Sequence, residues 1–215
     1  MPQLQRKLMQ TLYRHDIWEG FKPSRTTRNP EGWNGNHPSL RRLVATAGEK
    51  TVIDVGVWKG QSTITMARAM KSARIDGCVI AVDTFLGSSE HWSEPNLYTR
   101  KHAMPDIYQT FMSNVLNAGV KDYIVPMPQT SVTAASILRL LGIKAAVVHI
   151  DAAHEYEDVL RDATEYWSLL EPGGYLIGDD YHDTWPGVVR AANEFSARQR
   201  QPLTVETPKW ILQRA

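Results

Sequence analysis

The chain has 215 residues, enough for one well-cored domain with a small appendage and too few for two full domains. Its 24 Lys and Arg nearly balance 23 Asp and Glu, so net charge supplies no electrostatic footprint for nucleic acid or a membrane surface. The single cysteine, Cys78, excludes an internal disulfide and fits a reducing compartment; its apolar surroundings read as a buried strand position. The start, Met1 to Arg6, carries charge and amide where a signal peptide needs an apolar core. No apolar run approaches the roughly 20 residues of a membrane helix. A soluble, cytoplasmic protein is expected.

Residues 1–50 read as a separate leader. Leu4, Leu8 and Leu12 recur at helical spacing and predict a short amphipathic helix, which would suit a contact within a homo-oligomer. The stretch from Lys22 to Pro38 is rich in Pro, Gly, Asn and Arg and has no periodicity. It reads either as a plain surface loop or as a cover in which Trp33, Asn34, Asn36 and His37 meet a polar ligand.

From Thr51 onward, strands and helices alternate. Strands are expected at 51–55, 79–82, 123–126, 145–150 and 175–178, with helices from about Ser62 to Met70, around Ile107–Val115, to Leu141 after a Ser131 cap, after His154, and from Pro186. In the helix after His154, Tyr156, Val159, Leu160, Ala163, Trp167 and Leu170 form the apolar face, while Asp162 is expected mostly outside. An irregular insertion, about 84–105, interrupts the alternation, and Leu203–Val205 with Trp210–Leu212 suggest a terminal antiparallel hairpin. The fold class is therefore α/β: a Rossmann-like, mostly parallel sheet covered by helices on both faces.

Two features carry chemistry. Asp54-Val55-Gly56-Val57-Trp58-Lys59-Gly60 joins a strand to a helix, a place where glycines permit a tight turn and a close ligand approach. The spacing is neither the G-x-G-x-x-G of a dinucleotide fingerprint nor a phosphate loop. Asp83, ending the second strand, could accept hydrogen bonds from both hydroxyls of a ribose. The second feature is the pair of buried-type strands that end in Asp151 and in Asp179-Asp180. Neighbouring parallel strands deliver their C-terminal ends to one sheet edge, outside which ligands bind in open α/β sheets. Carboxylates crowded there need a neutralising cation, and their oxygen-only donors suit Mg²⁺ or another hard divalent ion. His149 reads as a packed core histidine; His154 sits beside the cluster.

Asp54-x-Gly56-x-x-x-Gly60 followed by Asp83 resembles motif I and the acidic second-strand end of class I S-adenosylmethionine-dependent methyltransferases. The resemblance implies that Gly56 and Gly60 line the cofactor, that Asp83 holds its ribose, that Thr130 or Ser131 lies near the adenine, and that Asp54 or a neighbour serves the methionine end. Asp151-x-x-His154 with Asp179-Asp180 further on is similar to the metal-dependent O-methyltransferases of sugars and antibiotic scaffolds, and to their cephalosporin-hydroxylase-like relatives. That likeness implies a metal on Asp151, Asp179 and Asp180, with His154 as the base. The implied reaction is methylation of a small-molecule hydroxyl on a sugar, diol or catechol-like acceptor. His91 and Trp92 in the insertion, with His182 and Trp185 after the fifth main strand, are the candidate acceptor contacts.

Three other readings fit less well. An NAD-dependent oxidoreductase would need a different glycine spacing, and a metal-dependent hydroxylase would need two histidines and one carboxylate. A non-catalytic cofactor-binding or scaffold protein would have no use for the acid and histidine set.

Overall fold

The computed structural model describes residues 2–24, 32–48, 50–94 and 96–215. The β-branched runs Thr51–Val55 (β1), Cys78–Asp83 (β2), Ile124–Pro128 (β5) and Ala145–Ile150 (β6) are too uniformly apolar for a sheet wet on one face, and nearly every position in them is buried. They pair in parallel with each other and with Leu170–Gly178 (β7); Thr204–Glu206 (β8) and Lys209–Gln213 (β9) close the sheet in antiparallel fashion. The seven strands lie in the order β5-β2-β1-β6-β7-β9-β8. Chain order reverses on either side of β1, which makes the β1–β6 boundary the switch point where an open α/β sheet admits a ligand.

The helices are Gln3–Tyr13 (α1), Pro38–Ala47 (α2), Gln61–Ala73 (α3), Ser89–Trp92 (α4), Ile107–Asn117 (α5), Ser131–Leu140 (α6), Tyr156–Trp167 (α7) and Pro186–Gln199 (α8). A short pair, Arg100–Lys101 (β3) and Met104–Pro105 (β4), sits with α4 in the expected insertion. The apolar face of α1 is used inside the chain. Leu8 and Met9 are buried, Tyr13 Oη donates to the Pro126 carbonyl at 2.6 Å, and the helix lies against β5, the edge strand.

Several local expectations are corrected. Helix α2 went unread, although Leu40, Leu43 and Val44 recur at helical spacing and are buried, because its start, Pro38 at the first turn with His37 accepting the Ser39 N–H, falls at the end of the stretch read as loop. The cap of α6 is Thr130, whose hydroxyl accepts the Thr133 N–H; Ser131 is the first helical residue. Strand β7 begins at Leu170 and runs through Pro172-Gly173-Gly174, since the Gly173 N–H and the Gly174 carbonyl both pair with Arg214 at 2.8 Å. Asp162 of α7 faces inward and is buried, taking a hydrogen bond from Ser131 Oγ at 2.7 Å.

Candidate active site

The site is built where β1, β6 and β7 end in register. Val55 pairs with Ile150, and Ile150 with Gly178, so Gly56, Asp151 and Asp179 emerge side by side. The Asp151 N–H donates to the Val55 carbonyl at 2.8 Å and the Asp179 N–H to the Ile150 carbonyl at 3.0 Å, which continues the ladder one step past the strands. Gly56 has φ +81°, and a Cβ there would stand 1.8 Å from the Asp151 carbonyl oxygen. The glycine is thus required by the neighbouring backbone, beyond any need of a ligand.

Two cavities meet at this edge. One, of about 310 Å³, runs from Gly56 and Trp58 past Asp83 to Gln129, Thr130 and Ser131. The other, of about 520 Å³, reaches from Trp33 and Asn34 to His91, His154, Asp180 and Trp185. Gly56, Trp58, Ser88, His91, Asp151 and Ala152 line both. In the smaller cavity the Asp83 carboxylate accepts the N–H groups of Trp58 at 2.8 Å and Phe85 at 2.7 Å, while burial pushes its pKa up. Each of its oxygens retains a free lone pair. Trp58 holds a left-handed backbone (φ +50°) that aims its N–H at Asp83, and its buried indole Nε1 has no partner among the described residues. A chamber with a two-oxygen acceptor along one wall and Thr130 and Ser131 at its far end fits a nucleoside.

The acids of the edge separate into two groups. The outer group is Asp151, His154 and Asp180, half-buried, with donor atoms that all lie within 4.8 Å of one another. His154 Nε2 is 2.9 Å from Asp180 Oδ2, its Nδ1 is 3.5 Å from Glu90 Oε1 of α4, and its ring stacks on Trp185 at 4.0 Å. The hydrogen bond to Asp180 raises its pKa to about 8 against the opposing effect of burial. Burial first, then the charge of Asp179, pushes the Asp151 carboxyl well above the usual carboxylate range. Asp180 has φ +60°, a left-handed conformation unusual for a non-glycine residue, held by its N–H donating to Asp179 Oδ1 at 2.8 Å.

The inner group is buried: Asp54, His149, Asp179 and Lys209. Lys209 is ion-paired with Asp179 Oδ2 and donates to His149 Nε2 at 2.9 Å. With Nε2 accepting, His149 carries its proton on Nδ1 and donates to Asp54 Oδ1 at 2.7 Å. Ser62 and Thr63 hydroxyls satisfy Asp54 Oδ2.

The sequence-predicted residues therefore part company. Gly56, Asp83, Thr130, Ser131, Asp151, His154, Asp180, His91 and Trp185 all line one or both cavities. Asp54 lines neither, because its carboxylate is turned into the core and satisfied by three donors, His149 on β6 and Ser62 and Thr63 on α3. Gly60 lines neither and instead starts α3 in close contact with Phe111. Trp92 is exposed beneath the Arg100 guanidinium, and the His182 ring is engaged by Thr184 in its own turn. Both lie outside the cavity walls.

Sequence reading missed Lys209, Glu90, and the role of Trp58. Nothing local distinguishes Lys209 from any charged hairpin residue. Trp58 sat in plain view in the glycine loop, but only its φ reveals why it matters. Trp33 and Asn34 of the leader do reach the larger cavity, and Trp33 stacks on His91, which stacks in turn on Trp58 at 4.0 Å.

A methyltransferase-domain family model matches residues 53–181, more than half of the chain. The chain belongs to this methyltransferase-domain family. It is 25% identical over 150 residues to an uncharacterised protein, R132, of Acanthamoeba polyphaga mimivirus; the match spans 68% of this chain and 59% of that relative's length. In structure it is similar to the O-methyltransferase NovP, with TM-score 0.62 and 22% identity over 82% of this chain and 78% of the other. It is also similar to an O-methyltransferase from Bacillus cereus in complex with SAH, with TM-score 0.58 and 16% identity over 98% and 96% of the two chains. Among the described residues, no helix is long and apolar enough to cross a membrane.

Proposed function

We propose that the protein methylates a hydroxyl group of a small-molecule acceptor, a sugar, diol or catechol-like compound, with the help of a divalent cation, Mg²⁺ in the first instance. The observation that carries this reading is the convergence of Asp151, His154 and Asp180 on the wall of the larger cavity, next to a chamber suited to a nucleoside. The O-methyltransferase likeness of NovP and of the Bacillus cereus protein supports it.

In this reading the smaller cavity takes the cofactor: Asp83 accepts from the ribose hydroxyls, Thr130 and Ser131 lie beside the base, and Gly56 lets the chain pass close to the sulfur end. S-adenosylmethionine supplies an electrophilic methyl carbon, so the protein's task is alignment and proton removal. Asp151 and Asp180 would hold the cation, whose chemistry there is to lower the pKa of a neighbouring hydroxyl. Asp179, expected as a third ligand, already spends one oxygen on Lys209 and the other on the Asp180 N–H.

His154 takes the acceptor proton at Nε2. With Asp180 as its partner alone, that nitrogen is protonated at neutral pH, as its pKa of about 8 dictates. A cation held by Asp180 would draw that carboxylate away from the imidazole and so remove the main cause of the upward shift, leaving Nε2 as the proton acceptor. Trp185 stacks on the imidazole and fixes its plane, while Trp33 and His91 form the facing wall. The leader (residues 1–50), through Gly32–Gly35, and the insertion (about 84–105), through α4 and its flanks, then add acceptor-side walls to a methyltransferase core at 51–215.

The test is S-adenosylhomocysteine production across a panel of vicinal diols, sugars and catechols, with and without EDTA. Turnover that needs the cation and returns with Mg²⁺ or Mn²⁺ is expected. Full turnover in EDTA with a true acceptor would refute the metal's role.

A further inference from the structure

The buried half of the acid cluster already contains a cation, and it belongs to the chain. Among the described residues, two sets of acid and histidine atoms lie close enough together to surround an ion: the outer one above, and His149, Asp151 and Asp179. The Lys209 ammonium is in contact with two of the three members of that inner set, Asp179 and His149.

Its place is fixed by packing. Trp210 pairs with Gly178 across β9 and β7, and a Cβ on Gly178 would stand 1.9 Å from the indole. Only glycine lets the ring lie there, where its Nε1 donates to the Asp179 carbonyl at 3.2 Å. That seating carries Lys209, one residue earlier, into the fully buried position beside Asp179. A positive charge so placed repels a second cation at close range in a medium that screens poorly.

We infer that Lys209 is a resident cation filling the inner half of the cluster, so that the enzyme holds one divalent ion, on Asp151 and Asp180 beside His154, with Asp179 acting as counter-ion to Lys209. This rests on the metal reading of the preceding section. Asp179 then works as a positioning residue: its Oδ1 anchors the Asp180 N–H and so holds the left-handed turn that presents Asp180 to the cavity.

The experiment is Mn²⁺ binding to the full-length protein, counted by electron paramagnetic resonance and calorimetry without cofactor or acceptor. The wild type is expected to bind one ion. Lys209→Met, which frees a carboxylate in the inner set, is expected to bind a second ion or to bind the first at least tenfold more tightly. Unchanged binding in that variant overturns the inference. The double variant Lys209→Met/Asp179→Asn removes the pair without leaving a net charge, and serves even if Lys209→Met alone does not fold. Its Mn²⁺ affinity should stay within tenfold of wild type; a larger loss would make Asp179 a ligand and overturn the inference while leaving the metal reading intact. If the wild type binds no Mn²⁺ but Lys209→Met does, Lys209 is upheld as the cation that fills the inner set, and the outer ion falls together with the metal reading.

Discussion

The inner and outer acid groups use the same residue types, lie at the same strand ends, and differ in who answers their charges. In the inner group every charge has a partner from the chain: Asp54 receives His149, Ser62 and Thr63, and Asp179 receives Lys209. In the outer group Asp151, Asp180 and His154 face a cavity, and their balance is left incomplete. The strain follows the same division, since Asp180 holds a left-handed backbone whereas Asp54 sits in regular β1. A compensated buried network specifies structure, while an under-compensated one at a cavity wall is where binding energy and proton transfer can be drawn from.

The sharpest way to break this contrast is to remove one side of the buried pair. Asp179→Asn leaves the Lys209 ammonium without its carboxylate and should destabilise the fold by about 3–5 kcal/mol. Adding Lys209→Met restores neutrality, and the double variant should recover most of that loss, since uncharged replacements of buried ion pairs are often near neutral. Denaturant midpoints of the two single variants and the double variant measure the coupling. If the two losses simply added, the inner group would not be a self-compensated unit.

Changing the outer group should move activity instead of stability. His154→Ala is expected to lower kcat by about 10²–10⁴-fold, the usual range for a positioned acid–base group. Its denaturant midpoint should barely shift, because the ring is half-buried and its partners Asp180 and Glu90 remain reachable by water. A large loss of stability with intact turnover in the folded fraction would place His154 with the inner group.

How much of this division was legible beforehand follows from which interactions are local in sequence. The strands, their order of alternation and the acids at their ends could be read, because a buried parallel strand leaves a continuous apolar run and a carboxylate ends it abruptly. Asp83 with Gly56 and Asp151 with Asp180 were found by that logic. The partner of Asp179 could not be found so: Lys209 lies in a terminal hairpin, and its place depends on Trp210 seating over Gly178. The partners of Asp54 were hidden for the same reason, since its carboxylate is claimed by His149, its register partner on the neighbouring strand β6, and by hydroxyls in the first turn of α3. Helical periodicity also misassigned Asp162, whose partner Ser131 belongs to a different helix.

Asp162 offers an intermediate case that sharpens the comparison at smaller cost. It is buried like the inner acids and borders the smaller cavity, yet its hydrogen-bond donor is a neutral hydroxyl and not a cation. Burial therefore raises its pKa to about 6, with the Ser131 hydrogen bond pulling the other way. The unfolded chain has the group near 3.9, so between roughly pH 4 and 6 the folded state binds more protons than the unfolded one. Stability contributed by this group is complete below the unfolded value and is lost as pH rises through about 6. Asp162→Asn keeps an acceptor for Ser131 and removes the charge, so it should stabilise the protein at pH 7.5 by roughly 2 kcal/mol and leave it nearly unchanged at pH 4. Thermal unfolding of the two proteins across that range would show the curves converging on the acid side. Parallel curves would mean that Asp162 is ionised at no cost, and that a buried acid on this edge does not need a cation to be tolerated.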